Sequence, residues 1–505
     1  MAQQDDLFST SLPQSLWRAE VVKNQEVLIA EKQGISLSSL MERAGAASFA
    51  YLQYRWPQAS KILVLAGGGN NGGDAYVVAR LAKQFGIKIQ LIELGKIDKL
   101  PKEAQLARDA WLAAGGQSSD WQAIDWQYDL IVDGVMGIGI STPLRPFLVQ
   151  FFGHVNQQAL PVLALDIPSG LCANSGRNLG AVIQASATIT FIAAKQGLFT
   201  GQAANYVGDI VFAGLGLDEQ FERDNSSKIA LCSQQALSAM LRPRARVSHK
   251  GDFGRVVLLG GNIGMAGAIR LAAEACQRVG AGLVRVITKP EHHLVILSGR
   301  PELMVTGIEM QQPELLQDAL KLASCAVLGP GLGQDEWAKG LFKQALAQNY
   351  HSVVDADGLN LLSQVPQRRS NWVLTPHPGE ASRLLNCTIG EIEADRMTAA
   401  FTIQQRYGGV CVLKGAGTVI AGGNGAIKIC NFGNPGMASG GMGDVLSGII
   451  GGLIGQFAAQ YSLFEIACLG VSIHSRSADL AAEMGERGML ASDLMPYIRQ
   501  LVNLK

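Results

Sequence analysis

Lys61 to Phe85 reads KILVLAGGGNNGGDAYVVARLAKQF, and its three parts decide the fold. Lys61–Ala66 is a short, continuous apolar run, the pattern of a strand buried on both faces. Asp74–Phe85 carries apolar residues at helical spacing and predicts an amphipathic helix. Between them lie five glycines, Gly67, Gly68, Gly69, Gly72 and Gly73. Gly67, Gly69 and Gly72 satisfy G-x-G-x-x-G, which in this setting suggests a phosphate on the helix N-terminus. One glycine can serve a tight turn; five together point to a ligand approaching the backbone.

A conventional NAD-dependent dehydrogenase is one reading of this unit. Glu93 ends a following strand about 20 residues on, where a ribose-binding acid belongs. Against it, Asn70, Asn71 and Asp74 crowd a turn that needs only backbone.

The alternation continues outward. Tyr128–Asp133, Pro161–Asp166 and Ala187–Ile192 read as further buried strands. The charged segment Asp218–Lys228 (DEQFERDNSSK) has no apolar period and reads as a linker. Strands then resume at Gly254–Gly260, Leu283–Thr288, Ala326–Gly329, Ser352–Asp355, Trp372–Thr375 and Val410–Lys414. The fold class is α/β, in two domains, residues 1–222 and 228–505, each built on a mostly parallel sheet.

The bulk numbers agree. The chain has 505 residues, enough for two or three domains. Lys plus Arg and Asp plus Glu are each 42, so no basic surplus marks a nucleic-acid binder. No pair among the eight cysteines forms C-x-x-C, and none lies at zinc-ligand spacing from a histidine. They read as small buried hydrophobes in a reducing compartment. Met1–Trp17 lacks the order of a signal peptide. Val445–Phe464 is uncharged and long enough to span a bilayer, but its glycines and glutamines favour a buried helix. The expectation is a cytoplasmic protein with no membrane or nucleic-acid partner, as a homo-oligomer.

Asp133 and Asp166 end strands, the first before Gly134, Gly137 and Gly139, the second in DIPSG. Ligands bind outside the carboxyl ends of such strands, and a carboxylate there must be hydrogen-bonded, paired or metal-bound. Ser169 is outside a G-x-S-x-G elbow, so a hydrolase nucleophile is rejected. Asn71, Asp133 and Ser169 are oxygen donors suited to a hard cation.

GGGNNGGD, VDGVMGIG, DIPSG and TITFIAAKQGL together resemble the NAD(P)H-hydrate epimerase family, over nearly the whole first half. The resemblance implies a Rossmann-like three-layer domain that interconverts the R and S forms of NAD(P)H hydrated at the nicotinamide ring. It implies that Asn70, Asn71, Gly72, Gly73 and Asp74 hold the dinucleotide, with Gly137, Ile138, Gly139, Ile140, Ser141, Thr142 and Pro143. Asp166 would meet the substrate as the acid/base, and Asn71, Asp133 and Ser169 would bind K⁺. The family often has threonine where this chain has Ile138, which leaves that phosphate contact to backbone N–H groups. Lys195 also matches; it is expected in a surface salt bridge rather than on the substrate's charge.

In the second half, Asn434–Asp444 (NPGMASGGMGD) precedes the apolar helix. Its glycines let N–H groups converge on phosphates, and Asp444 stands at the mouth of that hole. A carboxylate there can cap the helix or take a proton from a hydroxyl attacking a phosphoryl group. His377, bracketed by Pro376 and Pro378, sits in a stiff loop.

KGDFGRVVLLGG, PELM, GPGLG, DADGL, LTPHPGE, LKGAGT and NPGMASGGMGD resemble the NAD(P)H-hydrate dehydratase family, of ribokinase-like fold, from about Val247 onward. The resemblance implies nucleotide at Lys414, Gly415, Ala416, Gly417 and Thr418. It continues the nucleotide site through Asn434, Pro435, Gly436, Met437, Ala438, Ser439, Gly440, Gly441, Met442 and Gly443. The hydrate would meet Gly333, His377, Pro378, Gly379, Glu380, Ala381, Ser382, Arg383 and Asp444. The expected co-substrate is ADP, or ATP in its place, with Mg²⁺ at the phosphates; the small-molecule partners are hydrated NADH and NADPH. The joint expectation is a two-activity metabolite-repair enzyme with Asp444 as the dehydratase base. The alternatives are a ribokinase-like small-molecule kinase fused to a dinucleotide-binding domain, and a first half that serves only as a binding module.

Overall fold

The protein is described here by a computed structural model covering residues 7–233, 239–309 and 312–503. Its chain divides into two compact units between Ala230 and Leu231.

The first unit is built on seven parallel strands. Their spatial order is Ser118–Ser119, Lys88–Leu94, Lys61–Gly67, Leu130–Gly134, Val162–Leu165, Ala187–Phe191 and Asp209–Ala213. Strand order reverses at Lys61–Gly67, which pairs with Lys88–Leu94 on one side and Leu130–Gly134 on the other. The loops after Lys61–Gly67 and Leu130–Gly134 therefore flank the topological switch point, where such sheets bind ligands. Two apolar cores contain this sheet: one includes Val64, Val78 and Leu163, the other Leu65, Ile131 and Phe152. Burial on both faces is why the strands read as unbroken apolar runs.

The second unit repeats the logic. From Ile427–Cys430 its sheet runs through Thr418–Ala421, Val410–Leu413, Trp372–Leu374, His351–Val354, Cys325–Leu328, Arg255–Leu259, Leu283–Thr288 and Met304–Gly307. From Val410–Leu413 to the Met304–Gly307 edge every pairing is parallel. The last hairpins, through Thr418–Ala421 and Ile427–Cys430, are antiparallel. Cys276, Cys325 and Cys430 are packed in its core as small apolar groups.

Three expectations are corrected. Asp218–Asp224, read as linker, is a helix whose Phe221 is fully buried edge-on against Trp17, with ring centroids 4.9 Å apart. A single aromatic anchor holds this short helix, so no apolar period announces it. Asn70–Asp74, read as loop, is the first turn of the helix Asn70–Gln84. Val445–Phe464 is two helices, Met442–Phe457 and part of Leu463–Ala482, and Ser462 caps the second through Glu465. Among the described residues no helix is long and apolar enough to cross a membrane.

Candidate active sites

In the first unit the helix Asn70–Gln84 starts at Gly69 without a side-chain cap, so its first N–H groups stay open. The approach is closed to side chains: a Cβ on Gly67 would lie 1.8 Å from Val135 O, and one on Gly72 2.0 Å from Gly67 O. Asp133, wholly buried, accepts from Ser169 N at 2.8 Å and Ser169 Oγ at 2.6 Å. Burial nevertheless pushes its carboxyl up to about 6. The Asn71 carboxamide is buried with neither its Oδ1 nor its Nδ2 hydrogen-bonded. It faces the glycine turn after Asp133: a Cβ on Gly137 would lie 3.7 Å from Asn71 Oδ1. An orphaned carboxamide oxygen beside a buried carboxylate and a serine hydroxyl fits a cation of low charge.

Asp166 holds a left-handed backbone, φ +63°, which an aspartate tolerates better than most residues. That turn aims its carboxylate at Lys195, whose ammonium bonds Asp166 Oδ1, Thr190 Oγ1 at 3.1 Å and Phe191 O at 2.8 Å. Lys195 is 1% exposed, so the expected surface salt bridge is corrected to a buried one. Asp74 joins the group: burial first, then the charges of Asp166 and Glu26, hold its carboxyl well above the usual range.

In the second unit the helix Met442–Phe457 likewise starts without a side-chain cap, at Gly441 with φ +91°. Asp444 lies in its first turn, not at the cap. Burial and the neighbouring Asp355 push its carboxyl up to about 7. Lys414 Nζ bonds Asp355 Oδ1 at 2.7 Å and lies 3.8 Å from Glu380 Oε2. Ser447 Oγ donates to the other oxygen of Asp355. Three carboxylates and one lysine thus meet where a glycine-bearing helix begins. Ser439 Oγ, in the glycine loop, is buried without a partner. Beside Asn360 and Arg383 lies a cavity of about 500 Å³, also lined by Gln334, Ser363 and Gln364.

Two family models match the chain. Residues 37–197 match the YjeF-related protein N-terminus, and residues 256–500 match NAD(P)H-hydrate dehydratase. The chain is 48% identical to the bifunctional NAD(P)H-hydrate repair enzyme Nnr of Escherichia coli (strain K12), over 98% of this chain and 95% of that one. The chain belongs to the bifunctional NAD(P)H-hydrate repair enzymes. The enzyme of that name from Coxiella burnetii is 45% identical, over 94% of this chain and 97% of its own. A crystal structure of a ribokinase-like superfamily protein from Enterococcus faecalis covers 55% of this chain and 96% of its own, at 32% identity and TM-score 0.51. The second unit therefore has the ribokinase-like fold.

For this repair-enzyme family member the structure also sorts the expected residues. Glu93 is occupied by Arg108 Nε at 2.6 Å and Tyr76 OH at 3.0 Å, an internal brace that undercuts the dehydrogenase reading. Ile138 packs against the apolar core, while Ser141, Thr142 and Pro143 stand exposed at the loop's end. His377 caps the helix Pro378–Leu385: its Nδ1 accepts from Gly379 N at 3.0 Å, and Glu380 Oε2 accepts from His377 N at 2.8 Å. Burial and Lys414 lower its basicity. Ala381 is fully buried, whereas Arg383 reaches Asn360 Oδ1 at 2.7 Å, beside the cavity. Gly333 N donates to Asp357 Oδ2 at 2.8 Å. Lys414, expected at the nucleotide, turns its ammonium toward the carboxylates of Asp355 and Glu380. Asn434 Oδ1 caps Gly436 N at 3.0 Å, shaping the loop that Pro435 and Met437 continue.

Arg396 is the residue the sequence reading missed. Fully buried, it donates to Leu413 O at 3.3 Å and Lys414 O at 3.0 Å. It braces the turn at Gly415, where a Cβ would lie 2.6 Å from the guanidinium. A lone arginine in a helical stretch gives no local sign of this; only the packing does.

Proposed function

We propose that the chain interconverts the R and S forms of hydrated NADH and NADPH in its first unit. In its second unit it dehydrates the S form by nucleotide-dependent phosphorylation. The observation that carries this is Asp444. Its carboxyl, raised to about 7, stands at the uncapped start of Met442–Phe457 amid Asp355, Glu380 and Lys414. A carboxyl poised near neutral pH can take a proton from a hydroxyl. Open helix N–H groups can hold the phosphoryl group that the hydroxyl attacks.

The chemistry follows from the substrate. Hydroxide leaves poorly at neutral pH, and a phosphate ester leaves far more easily. Asp444 takes the ring hydroxyl's proton as its oxygen bonds phosphorus and the nucleotide departs. The ring nitrogen's lone pair then expels phosphate, and loss of a proton from the adjacent carbon restores the reduced ring. ADP is the proposed donor, with ATP as the other nucleotide to test. The backbone at Gly415, Ala416 and Gly417 and the Asn434–Gly443 loop would hold it. Mg²⁺ would arrive on its phosphates, as that ion does where a site supplies one or two carboxylates.

In the first unit we assign Asp166 as acid/base and Asn71, Asp133 and Ser169 as the K⁺ ligands. The unpartnered Asn71 carboxamide supports that ion. The dinucleotide would lie along Asn70–Asp74 and Gly137–Pro143, at the switch point. The site residues lie within residues 1–222 and 228–505, so the two activities are proposed to divide there.

The test is absorbance at the reduced-nicotinamide band after adding protein, Mg²⁺, K⁺ and ADP to mixed epimers of hydrated NADH. Full recovery is expected. Recovery that stops at the S fraction leaves the first unit as a binding module. No recovery with ADP or ATP moves the reading to a small-molecule kinase.

A further inference from the structure

A helix from outside the matched stretch packs beside the epimerase site. The family match begins at residue 37. Before it, Leu16–Trp17 pairs in parallel with Ala194–Lys195, Trp17 lying opposite Lys195 itself. The helix Ala19–Lys32 follows at once and is pinned beside the site. Ala19 N donates to Asn174 Oδ1 at 2.8 Å, Asn174 Nδ2 to Glu20 Oε2 at 2.8 Å, and Gln196 Nε2 to Asn174 O at 2.8 Å. The buried face of this helix carries Val22, Ile29 and Ala30. Glu26 lies on that same face, four residues after Val22 and three before Ile29. A carboxylate at an inward position needs a partner, yet Glu26 is half-buried and has no hydrogen bond or ion pair among the described residues.

We propose that Glu26 is the second acid/base of the epimerisation, working opposite Asp166 on the hydrated ring. The assignment rests on the epimerase function proposed above. Inverting the hydroxyl-bearing carbon needs two proton transfers. On one face an acid protonates the hydroxyl, the C–O bond breaks, water leaves, and the ring nitrogen's lone pair forms C=N⁺. On the other face water adds to that carbon and a base takes its proton. The acid ends ionised and the base protonated, and exchange with solvent resets them. One carboxylate cannot serve both faces.

The charges around the two groups differ in the required sense. Asp166 is ion-paired to Lys195. Glu26 feels the charges of Asp166, Lys195 and Lys23 and acts in turn on Asp74; burial first, then Asp166, raises its carboxyl to about 7. A protonated Glu26 beside an ionised Asp166 is the pairing the reaction needs.

The experiment measures epimerisation in the full-length chain as wild type, Glu26→Gln and Glu26→Asp, across pH, with unfolding midpoints on the same samples. For E26Q a rate loss of about 10²-fold or more is expected, with a midpoint no lower than wild type and loss of the pH limb near 7. E26D should recover part of the rate and restore a limb. E26Q within about threefold of wild type overturns the assignment. So does a slow E26Q that keeps the wild-type limb, or an E26D as slow as E26Q at equal midpoint. If E26Q unfolds, E26D decides: a folded E26D without a limb also overturns it. A wild-type chain that does not epimerise overturns the function itself and this assignment with it.

Discussion

The Lys195 ammonium is buried directly against the Asp166 carboxylate, and Thr190 Oγ1 and Phe191 O complete its hydrogen bonds. A buried pair with satisfied donors fixes each group's direction. It is stabilising only while both members remain. The pair holds the Asp166 carboxylate in a fixed direction, and a general base needs that positioning.

Asp166→Asn should therefore remove epimerisation by about 10²-fold or more, while dehydration of the S form continues. Asparagine tolerates the left-handed backbone there, but it leaves the buried Lys195 ammonium without its counter-charge. Lys195→Met leaves the Asp166 carboxylate unpaired in the same way, so each variant should lose about 3–5 kcal/mol of stability. Denaturant unfolding of both variants against wild type checks this. A K195M or D166N chain as stable as wild type would contradict the pairing.

Asp444→Asn should abolish dehydration and spare epimerisation. The wild-type dehydratase kcat/KM should fall on the acid side with an apparent pKa near the value of about 7 for Asp444, because the base must be ionised. The stability effect has the opposite sense. The folded group binds its proton more tightly than an ordinary carboxyl, so stability falls as pH rises from about 4 through about 7. D444N should raise the unfolding midpoint at pH 8 more than at pH 5. Scans at both values test this, and an equal shift would assign the stabilisation to something other than the charge.

Replacing K⁺ by a bulky organic cation at constant ionic strength should slow epimerisation and leave the dehydratase step unchanged. Asn71→Ala should raise the K⁺ concentration needed for half-maximal rate about tenfold or more, the loss of one ligand costing on the order of 1–2 kcal/mol. An epimerase rate indifferent to K⁺ would remove the ion from the site.

Gly415→Ala should raise the nucleotide KM with little change in hydrate binding. Its φ of +144° and the nearby Arg396 guanidinium leave no room for a Cβ. A titration of ADP in each variant checks the split. Equal KM values would place the nucleotide elsewhere.

Much of this was legible in order along the chain. The strand Leu283–Thr288 coincides with its apolar run, and the other expected strands differ from the observed ones by a residue or two. Continuous apolar runs are the direct signature of strands covered on both sides. Glycine clusters marked the loops because only glycine allows the backbone approaches seen at Gly67 and Gly72. What stayed hidden was where long side chains end. Lys414 opens a glycine-rich motif, yet its ammonium lies with Asp355, whose strand is separated from its own by Trp372–Leu374.

The sequence by itself determined two α/β units, their glycine-rich loops and the strand-end carboxylates Asp133 and Asp166, because apolar period and glycine spacing are local properties. Tertiary packing alone buries Lys195, brings the Lys414 ammonium to Asp355, turns Asp218–Asp224 into a helix through Phe221, and sets the helix that carries Glu26 directly after the strand paired with Ala194–Lys195. Each depends on contacts between segments distant in sequence. Burial and pairing of a charge are set by what packs around it, which no local pattern encodes.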